Sequence, residues 1–106
     1  MREHRCHTVL GAPIPRGDWP KMMGIYAVRA NDRLKIGWGK NIAKRLTGQQ
    51  CFCPYPLELV AFVPDASVKD EKAMHKQLAR SRLVGEWFAI DQDVIRAVSA
   101  MMRDKC

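Results

Sequence analysis

The sequence predicts a small α+β protein, and three observations carry that expectation. Residues 24–37 hold two apolar runs of strand length around Asn31-Asp32, a pair that tolerates the positive φ of a two-residue hairpin turn. Residues 57–63 are apolar on both faces apart from Glu58, the pattern of a strand covered on two sides by helices. Helical periodicity then recurs after Asn41, after Ser67 and after Asp91. A chain of 106 residues suits one modest core, expected in a single domain over 21–106 behind an N-terminal extension, 1–20.

The hairpin fixes which side chains share a face. With the turn at Asn31-Asp32, Ala30 faces Arg33, Val28 faces Lys35 and Tyr26 faces Gly37. Tyr26, Val28, Lys35 and Gly37 then lie on one side, and Ile25, Ala27, Leu34, Ile36 and Trp38 on the other. Tyr26 and Lys35 become diagonal neighbours, roughly 7–8 Å apart at the backbone. Gly37 should leave an open space between them. A phenol, an ammonium and a gap on one sheet face make a phosphate site.

Charge points the same way. The net charge of +7 favours polyanions, through attraction to phosphate and release of counterions, although a basic surface kept for solubility gives the same number. The charged start, Met1-Arg2-Glu3-His4-Arg5, has no signal-peptide core, and no apolar run suits a membrane span, so the expected compartment is cytoplasmic. The cysteines (Cys6, Cys51, Cys53, Cys106) lack Cys-x-x-Cys spacing. Free thiols are therefore expected rather than a metal site built from Cys6, His7, Cys51 and Cys53.

Residues 1–20 carry three prolines and two glycines without periodicity, which reads as an arm anchored by Trp19. Its Arg2, Arg5 and Arg16 face either a nucleic-acid backbone or solvent. Asn41 is a good N-cap for a short helix with an Ile42/Leu46 stripe that ends near Gly48. The start of that helix should lie near Lys35, where its free amides favour phosphate. Arg45 borders the buried stripe, and spacing alone makes it a surface charge as readily as a functional group. Residues 51–56 form a Pro-punctuated loop.

Ser67 with Asp70 suggests a capping box, after which Val68, Glu71, His75, Leu78 and Arg82 share one helical side. A carboxylate on such a stripe is costly unless it is paired or binds a metal. Glu71 and His75 read as an i, i+4 pair, or Glu71 reads as a ligand for a hard cation, and spacing does not decide. Residues 85–90 are a turn and an extended piece whose aromatics close the core, with Glu86 tied to Arg45, Arg82 or His75. Asp91 caps a last helix with an apolar face of Val94, Ile95, Val98, Met101 and Met102.

Taken together, Gly24-Ile25-Tyr26, Lys35-Ile36-Gly37, Arg45, Glu71 and Gly85-Glu86-Trp87-Phe88 resemble the GIY-YIG nuclease superfamily over residues 22–90. The match is closest to its phage-type branch, in which Lys-Ile-Gly serves as the second motif. The resemblance implies a three-stranded antiparallel sheet flanked by helices, ordered β-β-α-β-α with a C-terminal helix. It implies metal-dependent hydrolysis of phosphodiester bonds in DNA, with Mg²⁺ or Mn²⁺ as cofactor and Glu71 as its ligand. Tyr26 is then the first-motif tyrosine, and Lys35 stands where many relatives carry a second tyrosine. Arg45, eight residues past Gly37, matches the family arginine. His75 is either a further catalytic group or the residue that holds Glu71. Lys40, Lys44 and Arg45 are the candidate DNA contacts.

These residue types suit the chemistry. Arg45 would set a planar charged fork on the scissile phosphate. A phenol is a poor base at neutral pH without cations beside it, so Tyr26 and Lys35 remain alternatives for the general base. The expected function is a DNA endonuclease with a single metal ion. A binding module of the same fold without turnover and an RNA-directed nuclease are the alternatives. So short a chain has little room for a specificity domain, which would leave selectivity to a homodimer or a protein partner.

Overall fold

The computed structural model describes residues 10–105. Among these residues, five strands form one antiparallel sheet in the order β3-β1-β2-β5-β4, with β1 Gly24–Ala30, β2 Arg33–Gly39, β3 Glu58–Pro64, β4 Arg82–Val84 and β5 Trp87–Ala89. Three helices cover it: α1 Ile42–Gln50, α2 Val68–Gln77 and α3 Gln92–Lys105. The class is α+β, but the sheet has two strands more than the three expected. Both extra strands are only three residues long, too short for alternation to register in the sequence.

The hairpin has the expected register, pairing Tyr26 with Gly37 and Val28 with Lys35. In its turn only Asn31 takes a positive φ, 58°. Alternation along β1 and β2 divides the core into two layers. Ile25, Ala27, Leu34 and Ile36 pack beneath α2 and α3, against Met74, Leu78, Val94 and Val98. Tyr26 and Val28 pack on the opposite side beneath α1, against Ile42, Leu46 and Trp19.

The N-terminal segment belongs to this second layer. Ile14 N–H donates to the Leu59 carbonyl at 2.9 Å, and Trp19 is buried. Arg16 lies over the Trp19 ring, 5.4 Å from its centroid. Arg2, Arg5, the Cys6-His7 pair and Cys106 lie outside the described residues. Among the described residues, Cys51 and Cys53 are free thiols, and no helix is long and apolar enough to cross a membrane.

Two helix boundaries differ from expectation. Helix α1 runs through Gly48 to Gln50, because a glycine in solvent-facing helix costs only about 1 kcal/mol and does not stop the chain. Helix α2 has the expected capping box of Ser67 and Asp70 but ends at Gln77. Arg82 therefore leaves the stripe of Glu71 and His75 and stands in β4, where its Nε donates to the Gly85 carbonyl at 2.7 Å. Asp91 caps α3 as expected, accepting from Val94 N–H at 3.0 Å.

Candidate active site

The site forms where β5 stops. β5 pairs with Arg33, Leu34 and Lys35 only, so β2 has no strand neighbour on that side from Ile36 onward. The N–H of Ile36 donates to the Glu86 carbonyl at 3.1 Å, at the turn into β5. Its C=O is met by Nε2 of His75 on α2 at 2.7 Å. A carbonyl only accepts, so Nε2 carries the hydrogen. The His75 ring also packs on Phe88, with centroids 5.2 Å apart. His75 thus pins α2 to the open edge of β2, and Glu71, one helical turn earlier, comes with it.

On the neighbouring strand, Tyr26 stands opposite Gly37. A Cβ at Gly37 would stand 2.5 Å from Tyr26 Oη, 2.6 Å from its Cζ and 3.1 Å from Glu86 Oε1. The phenol therefore lies across Gly37 and fills the space expected to be open. Only glycine permits this approach. Tyr26 is fully buried, and its Oη accepts from Gln49 Nε2 at 2.9 Å and, at the outer limit of a hydrogen bond, from Arg45 Nε at 3.5 Å. The Arg45 stem runs over Gly39, where an added Cβ would meet its Cδ at 3.2 Å. The bond to Tyr26 raises the Arg45 pKa further, which keeps the exposed guanidinium charged.

Two carboxyls and an ammonium complete the cluster. Glu71 is 8% exposed, and its carboxyl faces that of Glu86 closely enough to feel its charge. Burial chiefly, and then the like charge of Glu86, raise the Glu71 pKa, while His75 and Arg45 pull it down. Glu86 Oε1 in turn lies 3.9 Å from Lys35 Nζ, which sits 5.8 Å from the centroid of Trp87. Burial lowers the Lys35 pKa, with Arg45 adding to the effect and Glu86 opposing it.

Tyr26, Lys35, Arg45, Glu71 and His75 thus gather around Gly37 from four elements, with His75 one step removed on the Ile36 carbonyl. Lys40 and Lys44 are exposed, and Lys44 lines a separate shallow groove with Lys21 and Thr47. The start of α1 is not an anion cradle, contrary to expectation. The N–H of Ile42 donates to Met22 O at 3.2 Å, that of Ala43 to Pro20 O at 2.7 Å and that of Lys44 to Asn41 Oδ1 at 3.1 Å. The chain leading into β1 has taken the first two of those donors and the N-cap Asn41 the third.

Two site residues escaped the sequence reading. Glu86 was expected to meet Arg45, Arg82 or His75 and instead bridges Lys35 and Glu71. Gln49 stands four residues after Arg45, hence on the same helical face, and that spacing was the available signal. Trp87, expected in the core, is only partly buried and stands over Lys35. Among the described residues, no three His, Cys, Asp or Glu side chains converge, so any cation site here is built on the two carboxyls of Glu71 and Glu86.

No curated protein and no solved structure shows a significant match to the chain. The sequence model of the T5orf172 domain matches residues 23–103. That span takes in every strand, all three helices bar the last residues of α3, and every side chain of the cluster around Gly37. The chain belongs to the T5orf172 domain family, a phage-associated domain of nuclease type.

Proposed function

We propose that this protein is a metal-dependent endonuclease of the GIY-YIG type that hydrolyses phosphodiester bonds in DNA. The observation that carries this reading is the meeting of Tyr26, Lys35, Arg45 and Glu71 around the bare backbone of Gly37. Phosphodiester hydrolysis needs a cationic fork on the phosphate, an acceptor for the proton of the attacking water, and stabilisation of the departing oxygen. The cluster offers a group for each.

Arg45 is exposed at its tip and held at its stem, so it presents a preorganised guanidinium to a phosphate. Tyr26 is buried and takes hydrogen bonds from Arg45 and Gln49, and its role is to orient that guanidinium. Lys35 reaches the surface and has a pKa lowered by burial, which makes it the better acceptor for the water proton. As the water oxygen bonds to phosphorus its proton passes to the neutral amine of Lys35, the bond from phosphorus to the sugar oxygen breaks, and that oxygen leaves as an alkoxide that takes a proton from solvent.

Glu71 and Glu86 fit a divalent metal. Burial and the neighbouring carboxyl make a bare Glu71 carboxylate costly, and a hard cation that prefers oxygen ligands, bound by Glu71 and Glu86, would offset that cost. When bound there, Mg²⁺ or Mn²⁺ would supply charge neutralisation for the phosphate and the leaving oxygen. His75 acts through the Ile36 carbonyl, fixing the helix that carries Glu71.

The complete burial of Tyr26 favours one second reading, a DNA-binding module of the same fold without turnover. Purified protein incubated with single- and double-stranded DNA, with Mg²⁺ or Mn²⁺, separates the two. Metal-dependent products that vanish in Glu71→Gln support the nuclease. Binding without products supports the module, and products that persist in Glu71→Gln reject the site.

A further inference from the structure

Beside Lys35 the surface opens into a groove of about 330 Å³, lined by Lys35, Gln49, Phe52, Cys53, Leu57 and Trp87. Trp87 packs one side against the core layer beneath α1, but Phe52 takes no part in the core. Phe52 is 91% exposed, and Tyr55 nearby in the same loop is 48% exposed. Exposure of so large an apolar ring is a standing cost, and the loop that carries it is not loosely held. Gln50 stitches it, with Nε2 donating to Tyr55 O at 2.9 Å and to Cys53 O at 3.3 Å, and Oε1 accepting from Leu57 N–H at 2.8 Å. Phe52 N–H donates to Gln49 O at 3.0 Å. The ring is held out in solvent by a braced turn.

Two lining residues belong to the site already described. Gln49 holds Tyr26 Oη, and Lys35 lies between Glu86 and Trp87. The groove is therefore continuous with the phosphate site through Lys35 and Gln49. Flat aromatic walls beside a cation match a planar ring joined to a phosphate. In a duplex, bases already stack on one another and gain nothing from such walls, whereas an unpaired base has a free π face.

We propose that this groove binds an unpaired nucleobase of single-stranded DNA, stacked against Phe52 and Trp87, next to the phosphate held by Arg45. The proposal rests on the nuclease reading for its phosphate and adds the strand form of the substrate. It assigns Phe52, a residue outside the cluster at Gly37, as a specificity determinant.

The test is binding in EDTA, where no cleavage consumes the probe. Fluorescence anisotropy would compare labelled oligothymidylate, the same strand paired with oligoadenylate, and oligouridylate. The single DNA strand should bind about tenfold tighter than the duplex, and Phe52→Ala should remove about that factor with no change in melting temperature, as expected for one stacked base. Phe52→Trp should restore it. Single-strand affinity unchanged in Phe52→Ala, a duplex bound as tightly as the single strand, or RNA bound more tightly than DNA would each overturn the assignment. A wild-type protein that still cuts DNA under any of those outcomes keeps the nuclease reading and loses only the base groove. A protein that binds none of the probes loses both.

Discussion

The buried carboxyl group of Glu71 stands beside that of Glu86 at the edge of β2 that β5 leaves uncovered. In the folded protein the Glu71 pKa is raised, first by burial and then by the like charge of its neighbour. The folded state thus holds the Glu71 proton at pH values where the unfolded chain has released it. Stability falls as pH rises from the ordinary glutamate value through the raised one. In EDTA, thermal melts of the wild type should drop as pH rises above the ordinary glutamate value, and Glu71→Gln should flatten the drop. Parallel curves for the two proteins would remove the carboxyl pair as its source. Adding Mg²⁺ or Mn²⁺ at neutral pH should raise the wild-type melting temperature and leave that of Glu71→Gln unmoved.

Gly37 and Tyr26 make a second testable pair. A methyl at Gly37 would occupy the space of the phenol tip, 2.5 Å from Oη, with β-sheet backbone on one side and a packed ring on the other. Gly37→Ala should cost about 1–3 kcal/mol in urea unfolding, as overpacking does. Tyr26→Phe removes the acceptor of Gln49 and Arg45 but relieves no crowding, and should cost about 1–2 kcal/mol. If Gly37→Ala melts like the wild type, the phenol does not lie across the glycine.

How much of this was legible in the sequence varies by element. Period-two alternation around a recognisable turn fixed the pairing of Tyr26 with Gly37, because a slip of one residue would turn Ile25 and Ala27 out of the core. Asn41, Ser67 and Asp91 announced three helix starts, since a side-chain acceptor at the cap satisfies amides that nothing else reaches. The β4 and β5 strands were hidden by their length, and Glu86 with them. Its partners depend on where β5 ends against β2, a tertiary fact with no local pattern. The blocked start of α1 was hidden too, because the Pro20 and Met22 carbonyls approach it only through the path of the N-terminal segment.

Arg45 tests the phosphate grip. Its side chain is exposed, so Arg45→Ala should leave the melting temperature within a degree or two of the wild type. Loss of one preorganised donor to a developing oxyanion should lower kcat/KM about 10²- to 10³-fold, on the order of 3–4 kcal/mol. Arg45→Lys should recover little of it, because an ammonium cannot donate as a fork. Full activity in Arg45→Lys would mean that only a point charge is needed there.

Away from the site, Asp91 carries an acid-side prediction. Ser81 Oγ donates to its Oδ2 at 2.7 Å and Val94 N–H to Oδ1 at 3.0 Å, and these bonds lower its pKa, that from Ser81 most. A carboxylate with a depressed folded pKa contributes stability above its ordinary value and loses it as pH falls through the depressed one. Asp91→Ala should therefore cost about 0.5–2 kcal/mol at neutral pH, as loss of a helix cap does, and progressively less in acid. A cost independent of pH would assign the effect to packing.

Lys35 tests the choice of base. Its pKa is lowered chiefly by burial, with Glu86 opposing the shift through a contact of 3.9 Å. A base of this kind gives a kcat/KM that rises with pH and levels off below the ordinary lysine range. Removing the opposing charge in Glu86→Gln should move the midpoint of that rise to still lower pH. Lys35→Arg keeps a cation near Trp87 but cannot release a proton, so it should bind DNA in EDTA as the wild type does and lose about 10²- to 10⁴-fold in cleavage. A Lys35→Arg protein with the wild-type rate and pH profile would move the proton acceptor to another group, and Tyr26 would be the next to examine.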